Sequence, residues 1–381
     1  TPDPEHGRIE RDPDGEPAGT LHEGAMDLVA LPVPSGADWE AAILRAQAHL
    51  HSLGITAWQD AIVEPDTLAA YRALAERGEL TAKVVGALWW DRERGEEQID
   101  ELREQRSAAT AGRFRATAVK IMQDGVCENF TAAMLDPYFD GHGHRTENAG
   151  ISMVEPALLR RVVTLLDREA FQVHVHAIGD RAVREALDAV EAARDANGPW
   201  DARHHIAHIQ LIHPDDLPRF ASLGVVANAQ PLWACNEPQM VELTIPFLGP
   251  ERAARQYPFA SLVRAGATLA AGSDWPVSSP NPLLEIEVAV NRIDPQDRHG
   301  EPFLRQERLG LGAAIDAFTR GSAFVNRLEG STGTIEAGAS ADLAVLDRDL
   351  LAPDAGPIGD ASVVMTLVDG AVVFEDPGLE G

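Results

Sequence analysis

The 381-residue sequence predicts an α/β protein: a (β/α)8 barrel of the TIM type that lacks its first strand, followed by strands that complete a small β-sandwich. Short, nearly continuous apolar runs alternate with helical stretches of about 10–15 residues, which is typical of parallel βα units. Polar residues follow those runs at the strand ends, where barrels carry their chemistry. No GxGxxG follows any run, so an open nucleotide-binding sheet has no support.

Composition excludes several classes of function. The 32 basic and 60 acidic residues give a formal net charge of −28, which repels phosphate backbones and anionic lipid, so we expect neither nucleic-acid nor membrane partners. No apolar run approaches the roughly 18 residues of a membrane span. We therefore expect a cytoplasmic protein. The two cysteines, Cys127 and Cys235, cannot build a disulfide framework.

The expected barrel, residues 1–330, contains strands two to eight of the full set. These strands are expected at 55–62, 80–90, 117–122, 171–178, 203–212, 225–230 and 267–273. Helices are expected at 39–53, 65–77, 95–109, 155–169, 180–196, 214–223, 251–265 and 312–326. The first twenty residues lack periodicity and predict a loop. Residues 331–381 supply the sandwich strands, with a hairpin signal at Val368-Asp-Gly-Ala.

Lysine usage singles out one strand. Only two of the 32 basic residues are lysines, Lys83 and Lys120, and Lys120 lies in an apolar strand. A bare ammonium is costly in apolar surroundings, so Lys120 should be paired, deprotonated or modified. Arginine could not serve in its place, because it does not lose its proton.

Histidines and a carboxylate mark three further strand ends. His174 and His176 alternate with period two and should share one face, whereas His205 and His208 are three residues apart and should face opposite ways. Asp274 follows the last apolar run. Each of these residues alone is more often structural, but together their nitrogen and oxygen donors suit zinc or a similar divalent ion.

Four motifs carry a resemblance to a known family: Val119-Lys-Ile, Val175-His-Ala-Ile-Gly-Asp, Ile206-Ala-His-Ile-Gln and Gly272-Ser-Asp-Trp-Pro. In this order the chain resembles the metal-dependent amidohydrolase superfamily, in the branch that contains N-substituted formamide deformylase. The tail motif Gly333-Thr-Ile-Glu-Ala-Gly is similar to the segment where such enzymes re-enter their β-sandwich.

The resemblance implies roles for the strand-end residues. Lys120 is the lysine that is often carboxylated and bridges two metals, and His176 and His208 are metal ligands. Asp274 is a ligand that also takes a proton from the metal-bound water. The resemblance implies one or two divalent ions, with zinc the expected metal.

The chain departs from the family pattern at its beginning. The family opens its barrel with a strand that ends in His-x-His, and no such strand precedes residue 55. His49-Leu-His51 lies in a helical stretch and His142-Gly-His144 in a loop, so neither is assigned as a ligand pair. We expect that a segment upstream of Thr1 supplies the missing strand and that the metal site of this chain is incomplete without it.

The expected function is hydrolysis of a C–N bond in an amide, formamide or cyclic amide by a metal-activated water. Asp274 is the expected proton acceptor, and His208 or His176 is expected to orient the carbonyl oxygen. Residues 124–150 are expected to act as a lid. The expected substrate pocket consists of Trp89, Trp90, Gln230, Trp233 and Trp275, although these tryptophans could simply seal the barrel mouth.

Two other functions stay open. One is an inactive relative that binds a small ligand at the barrel mouth, and the other is a phosphotriesterase- or lactonase-like hydrolase on the same scaffold. In each case the partner is a small molecule, and a homodimer is compatible with the sequence.

Overall fold

A computed structural model describes residues 1–4 and 7–379. Its centre is a curled parallel sheet of seven strands, paired in chain order. The strands are β3 (Ala57–Val63), β4 (Lys83–Trp89), β5 (Phe114–Met122), β6 (Gln172–Ala177), β7 (His205–His208), β8 (Val226–Ala229) and β9 (Leu269–Ala271). All seven expected strands are confirmed. Most are shorter than expected; β7, for example, ends where His208 and Ile209 turn to φ values of 76° and 44°.

The parallel sheet has an edge strand at each end. In the part of the chain that the structure describes, β3 and β9 each pair on one side only, so the strands curl without closing on each other. Helices pack on the outer face and bury a continuous apolar core against the sheet.

Eleven α-helices lie within the described residues. They are α1 (Gly36–Ser52), α2 (Pro65–Glu76), α3 (Gln98–Ala109), α4 (Pro156–Arg168), α5 (Asp180–Asn197), α6 (Leu217–Leu223), α7 (Ile245–Ala253), α8 (Phe259–Arg264), α9 (Pro282–Asn291), α10 (Leu311–Asp316) and α11 (Ser322–Val325). The single helix expected at 251–265 is wrong. Tyr257 has φ 47° and Pro258 has no N–H to donate, so the chain leaves the helix between α7 and α8. In none of the described helices is an apolar stretch long enough to span a bilayer.

The expected loop over the first twenty residues is also wrong. Two antiparallel strands, β1 (Gly7–Arg11) and β2 (Pro17–Glu23), form a hairpin there. The Asp12 side chain organises the turn, because its Oδ1 accepts the N–H groups of Asp14 and Glu16. The turn residues, rather than an alternation of apolar residues, specify this hairpin. A search for apolar alternation therefore does not detect its strands.

The C-terminal strands form a separate antiparallel sheet that packs against α1. Its strands are β10 (Leu343–Leu346), β11 (Val363–Val368) and β12 (Ala371–Glu375), and the expected hairpin between β11 and β12 is confirmed. Within the described residues these strands make one layer and no second layer of a sandwich. Lys83 joins this sheet to the parallel one through ion pairs with Asp342 and, at 2.8 Å, with Asp369.

A buried polar network holds the amino-terminal side of β6 and β7. Asp167 accepts hydrogen bonds from Asn197 at 2.7 Å, from the Trp200 indole at 2.6 Å and from His204 Nε2 at 2.9 Å. His204 Nδ1 in turn accepts the Val173 N–H at 3.0 Å, so its proton must be on Nε2. The carboxylate therefore satisfies three donors at once, and of these His204 is buried.

We expect Asp167→Ala to lower the free energy of unfolding by about 3 kcal/mol, because it leaves those donors without an acceptor. Asp167→Asn should lose less, since an amide oxygen still accepts. Denaturant unfolding measures both, with the exposed Asp195→Ala on α5 as control. Equal stability of Asp167→Ala and Asp195→Ala would contradict a structural role for the network.

Candidate active site

The sheet register brings the predicted strand-end residues together at the carboxyl edge. Lys120 pairs with His174 across β5 and β6, and Ala177 at the end of β6 pairs with His208 at the end of β7. Lys120, His176 and His208 are 3%, 6% and 3% exposed. The ring centroids of His176 and His208 lie 4.3 Å apart. Two of the predicted ligands are therefore in contact.

Lys120 is buried, and no carboxylate of residues 1–4 and 7–379 lies in hydrogen-bond contact with it. Its Nζ donates to His174 Nε2 at 3.2 Å. Burial lowers the pKa of Lys120 to about 8, although the negative charge of Asp274 acts in the opposite direction. The other lysine, Lys83, differs because it is paired with two aspartates. The expectation that Lys120 is an unusual lysine agrees with this environment.

The two contacting histidines are neutral at neutral pH. Burial lowers the pKa of His176 to about 3 and that of His208 well below its ordinary value, and the charge of Lys120 lowers both further. A neutral imidazole is the form that can bind a metal or accept a proton.

Asp124, which follows β5, orients His176. Its carboxylate accepts the N–H groups of Ala133, Ile178 and Gly179 at 2.8–3.0 Å and lies 3.5 Å from His176 Nε2. Burial raises the pKa of Asp124 to about 8 against these hydrogen bonds. His176 Nε2 donates to the Gly125 carbonyl at 3.2 Å, which leaves Nδ1 free to accept or to ligate. The sequence offered one signal for this role, an Asp-Gly pair directly after an apolar strand.

His208 is held in a strained backbone conformation. Its φ is 76°, and that of Asp274 is 56°, both in the left-handed region that residues with a side chain rarely adopt. The His208 N–H donates to Gln230 Oε1 at 2.8 Å, and the ring stacks on Trp233 with centroids 5.6 Å apart. His208 Nδ1 is buried without a hydrogen-bond partner.

A second pair of imidazoles lies beside Lys120. The rings of His174 and His205 have centroids 4.0 Å apart, and Asn228 contacts His205 Nδ1 at 3.3 Å. The expectation that His205 and His208 face opposite ways is wrong, because each of them packs against a histidine of β6. Strict alternation ends where His208 leaves the strand conformation.

The side chains at this site are of types that bind zinc, but within the described residues they do not form a complete group of metal ligands. Imidazole nitrogen suits zinc, and His208 Nδ1 is a buried ring atom without a hydrogen-bond partner among the described residues. Asp274 acts on Lys120 through its charge. Across residues 1–4 and 7–379, no three histidine, cysteine, aspartate or glutamate side chains are grouped so that they could hold a metal ion.

The predicted aromatic pocket is only partly assembled. Trp233 contacts His208, as described, whereas Trp90 is 2% exposed and lies in the main core. Trp89 lines a groove of about 170 Å³ beside α2 and α3, and Trp275 is exposed and contacts His49. Of these tryptophans, Trp233 is the one that the structure brings to the paired histidines.

The segment 124–150, expected to be a lid, is packed onto the molecule. Cys127, Met134 and Tyr138 form a small buried cluster with Leu211 and Leu248. Because these apolar side chains are buried, the segment is a fixed cover behind Asp124 rather than a loose flap.

Comparison with known proteins places the chain in a family. The model of the Amidohydrolase family matches residues 1–374. The chain is 30% identical to Protein LONG AFTER FAR-RED 3 of Arabidopsis thaliana over 98% of this chain and 64% of that protein. It is 24% identical to N-substituted formamide deformylase of Arthrobacter pascens over 99% of this chain and 69% of that enzyme.

A solved structure shares the fold. An uncharacterized metal-dependent hydrolase from Pyrococcus furiosus is 28% identical with a TM-score of 0.70, over 86% of this chain and 65% of that one. The chain thus spans about two thirds of the length of these relatives.

The lowered pKa of Lys120 predicts a dependence of stability on pH. Between about 8 and 10.5 the folded chain binds fewer protons than the unfolded chain, so the free energy of unfolding should rise with pH. The rise from this group is at most about 3 kcal/mol. Lys120→Met should abolish it, as measured by denaturant unfolding with chelator present.

Lys83→Met is the matched control, because that lysine is ion-paired. It should keep the rise that Lys120→Met loses. Parallel pH profiles for the parent and Lys120→Met would show that Lys120 is not held in the dry environment that the structure indicates.

Proposed function

This chain belongs to the amidohydrolase family, and on that premise we propose that it hydrolyses a C–N bond of a small amide, formamide or cyclic amide. The supporting observation is the pair of neutral, contacting imidazoles of His176 and His208, buried beside Lys120 at the carboxyl edge of the sheet. Active sites of barrel enzymes lie at this edge.

The residues that would hold a divalent metal are His176 and His208, with Lys120, carboxylated or neutral, and Asp274 as further ligands. When bound, the metal, which we propose to be zinc, supplies a Lewis acid for the scissile carbonyl and lowers the pKa of water. Asp124 lies 3.5 Å from the His176 ring, and Gln230 holds the backbone of His208 by accepting its N–H.

Asp274 is the proposed proton carrier. Burial raises the pKa of Asp274, although Lys120 lowers it, so its carboxylate is a better base than an exposed one. It accepts the proton of the attacking water as the water oxygen bonds to the carbonyl carbon. It then returns that proton to the amine nitrogen as the C–N bond breaks. Carboxylic acid and amine are the products.

Trp233 and Gln230 are the proposed near wall of the substrate pocket, with Trp275 at its rim. The Trp233 ring stacks on His208 and offers an apolar face to an aryl or alkyl group. Trp89 and Trp90 are not carried into this proposal, because one lines a separate groove and the other is buried in the core.

A second candidate is a relative that binds a small ligand without hydrolysing it. The observation that favours it is the lack of a complete three-ligand group among the described residues. Assaying purified protein against a panel of N-formyl and N-acyl amines, with zinc content determined in the same sample, separates the two. Full zinc occupancy without turnover of any panel member would favour the binding protein.

We expect Asp274→Asn to reduce kcat by about 10²–10⁴-fold, because the amide cannot accept the proton of water. The melting temperature should change little, since Asp274 is only partly buried. The exposed Asp354→Asn is the matched control and should retain the parent rate. Parent-like turnover by Asp274→Asn would exclude Asp274 as the proton carrier.

A further inference from the structure

A fully buried carboxyl group lies behind the candidate site and plays no part in the chemistry described so far. Glu285, in α9, is 0% exposed. It makes no ion pair with any residue of the described ranges 1–4 and 7–379. A lone buried carboxyl group is costly, so its contacts decide what it does.

The contacts of Glu285 lead to His208. Its Oε2 accepts the Leu232 N–H at 2.7 Å. Leu232 is the middle residue of a short 3-10 helix, Pro231–Trp233, and the Trp233 ring stacks on His208 at an interplanar angle of 25°. One hydrogen bond thus connects α9 to the aromatic wall of the imidazole pair.

The second carboxyl oxygen distinguishes Glu285 from a hydrogen-bond acceptor with an ordinary structural role. Oε1 is buried and has no hydrogen-bond partner in the structure. Burial raises the pKa of Glu285 well above its ordinary value, and the negative charge of Asp274 adds to the rise. Glu285 therefore holds the Leu232 N–H with Oε2, while its Oε1 is buried without a partner. An unpartnered buried polar atom is destabilising, so stability alone does not account for it.

We propose that Glu285 is a positioning residue of the candidate site: its Oε2 fixes the Pro231–Trp233 turn and so holds the Trp233 ring against His208. The kinetic part of this inference rests on the proposed hydrolase function. The part that concerns the Trp233–His208 contact does not.

Matched variants test the proposal. Glu285→Gln keeps a carbonyl oxygen of the same reach, whereas Glu285→Leu removes it and Glu285→Asp shortens it by one methylene. Glu287→Leu is the control, because Glu287 lies in the same helix, is 2% exposed and pairs with Arg298 instead. Each variant is made with and without Trp233→Phe, so that the difference in emission isolates one of the seven tryptophans.

We expect the parent, Glu285→Gln and Glu287→Leu to share the same Trp233 emission, because the ring keeps its packed position against His208. In Glu285→Leu and Glu285→Asp the intensity of that emission should change at least twofold, and kcat should fall about tenfold or more with KM nearly unchanged. Glu287→Leu should instead lower the melting temperature with Trp233 emission and kcat retained. If Glu285→Leu does not fold, the comparison of Glu285→Asp with the parent tests the proposal.

Parent-like emission in both Glu285→Leu and Glu285→Asp would overturn the proposal. So would a change in emission in Glu285→Gln as large as that in Glu285→Leu, because rescue by the amide is required. If the parent hydrolyses no panel amide, the proposed function fails while the emission of these variants still decides the role of Glu285.

Discussion

Burial of basic nitrogen atoms at the carboxyl edge of the sheet is the constraint on which the candidate site depends. Lys120 is 3% exposed, and its hydrogen-bond partner is the imidazole of His174 rather than a carboxylate. Charge is costly in such surroundings, so burial lowers the pKa of the amine to about 8 and keeps the imidazoles neutral. Neutral nitrogen atoms with free lone pairs are what metal ligation and proton transfer require.

The two contacting histidines are supported from opposite sides. Asp124 and the packed segment 124–150 hold His176, and the carboxylate ties three stretches of chain together through backbone N–H groups. Gln230 and Trp233 hold His208, whose strained backbone needs such support to persist. A site built on strand ends depends on the loops behind it. In this structure each of the two imidazoles is supported by a different loop.

The fold was predictable because buried parallel strands need continuous apolar runs, and all seven runs became strands. Strand ends were less predictable, as β7 shows: a ten-residue expectation became His205–His208. An end depends on where pairing stops and the backbone turns, which apolar content does not encode. The hairpin over Gly7–Glu23 was missed for a related reason, because turn residues rather than alternation specify it.

By itself the sequence determined the α/β class, the strand order and the residue types at the strand ends, among them Lys120 and His176. Only the tertiary structure decided that His176 meets His208, that no three ligands group together in the described residues, and that Asp124 and Glu285 support the site. The supporting hydrogen bonds join residues 55 and 53 positions apart. Such pairs meet through sheet register and loop packing, and no local pattern in the chain specifies either.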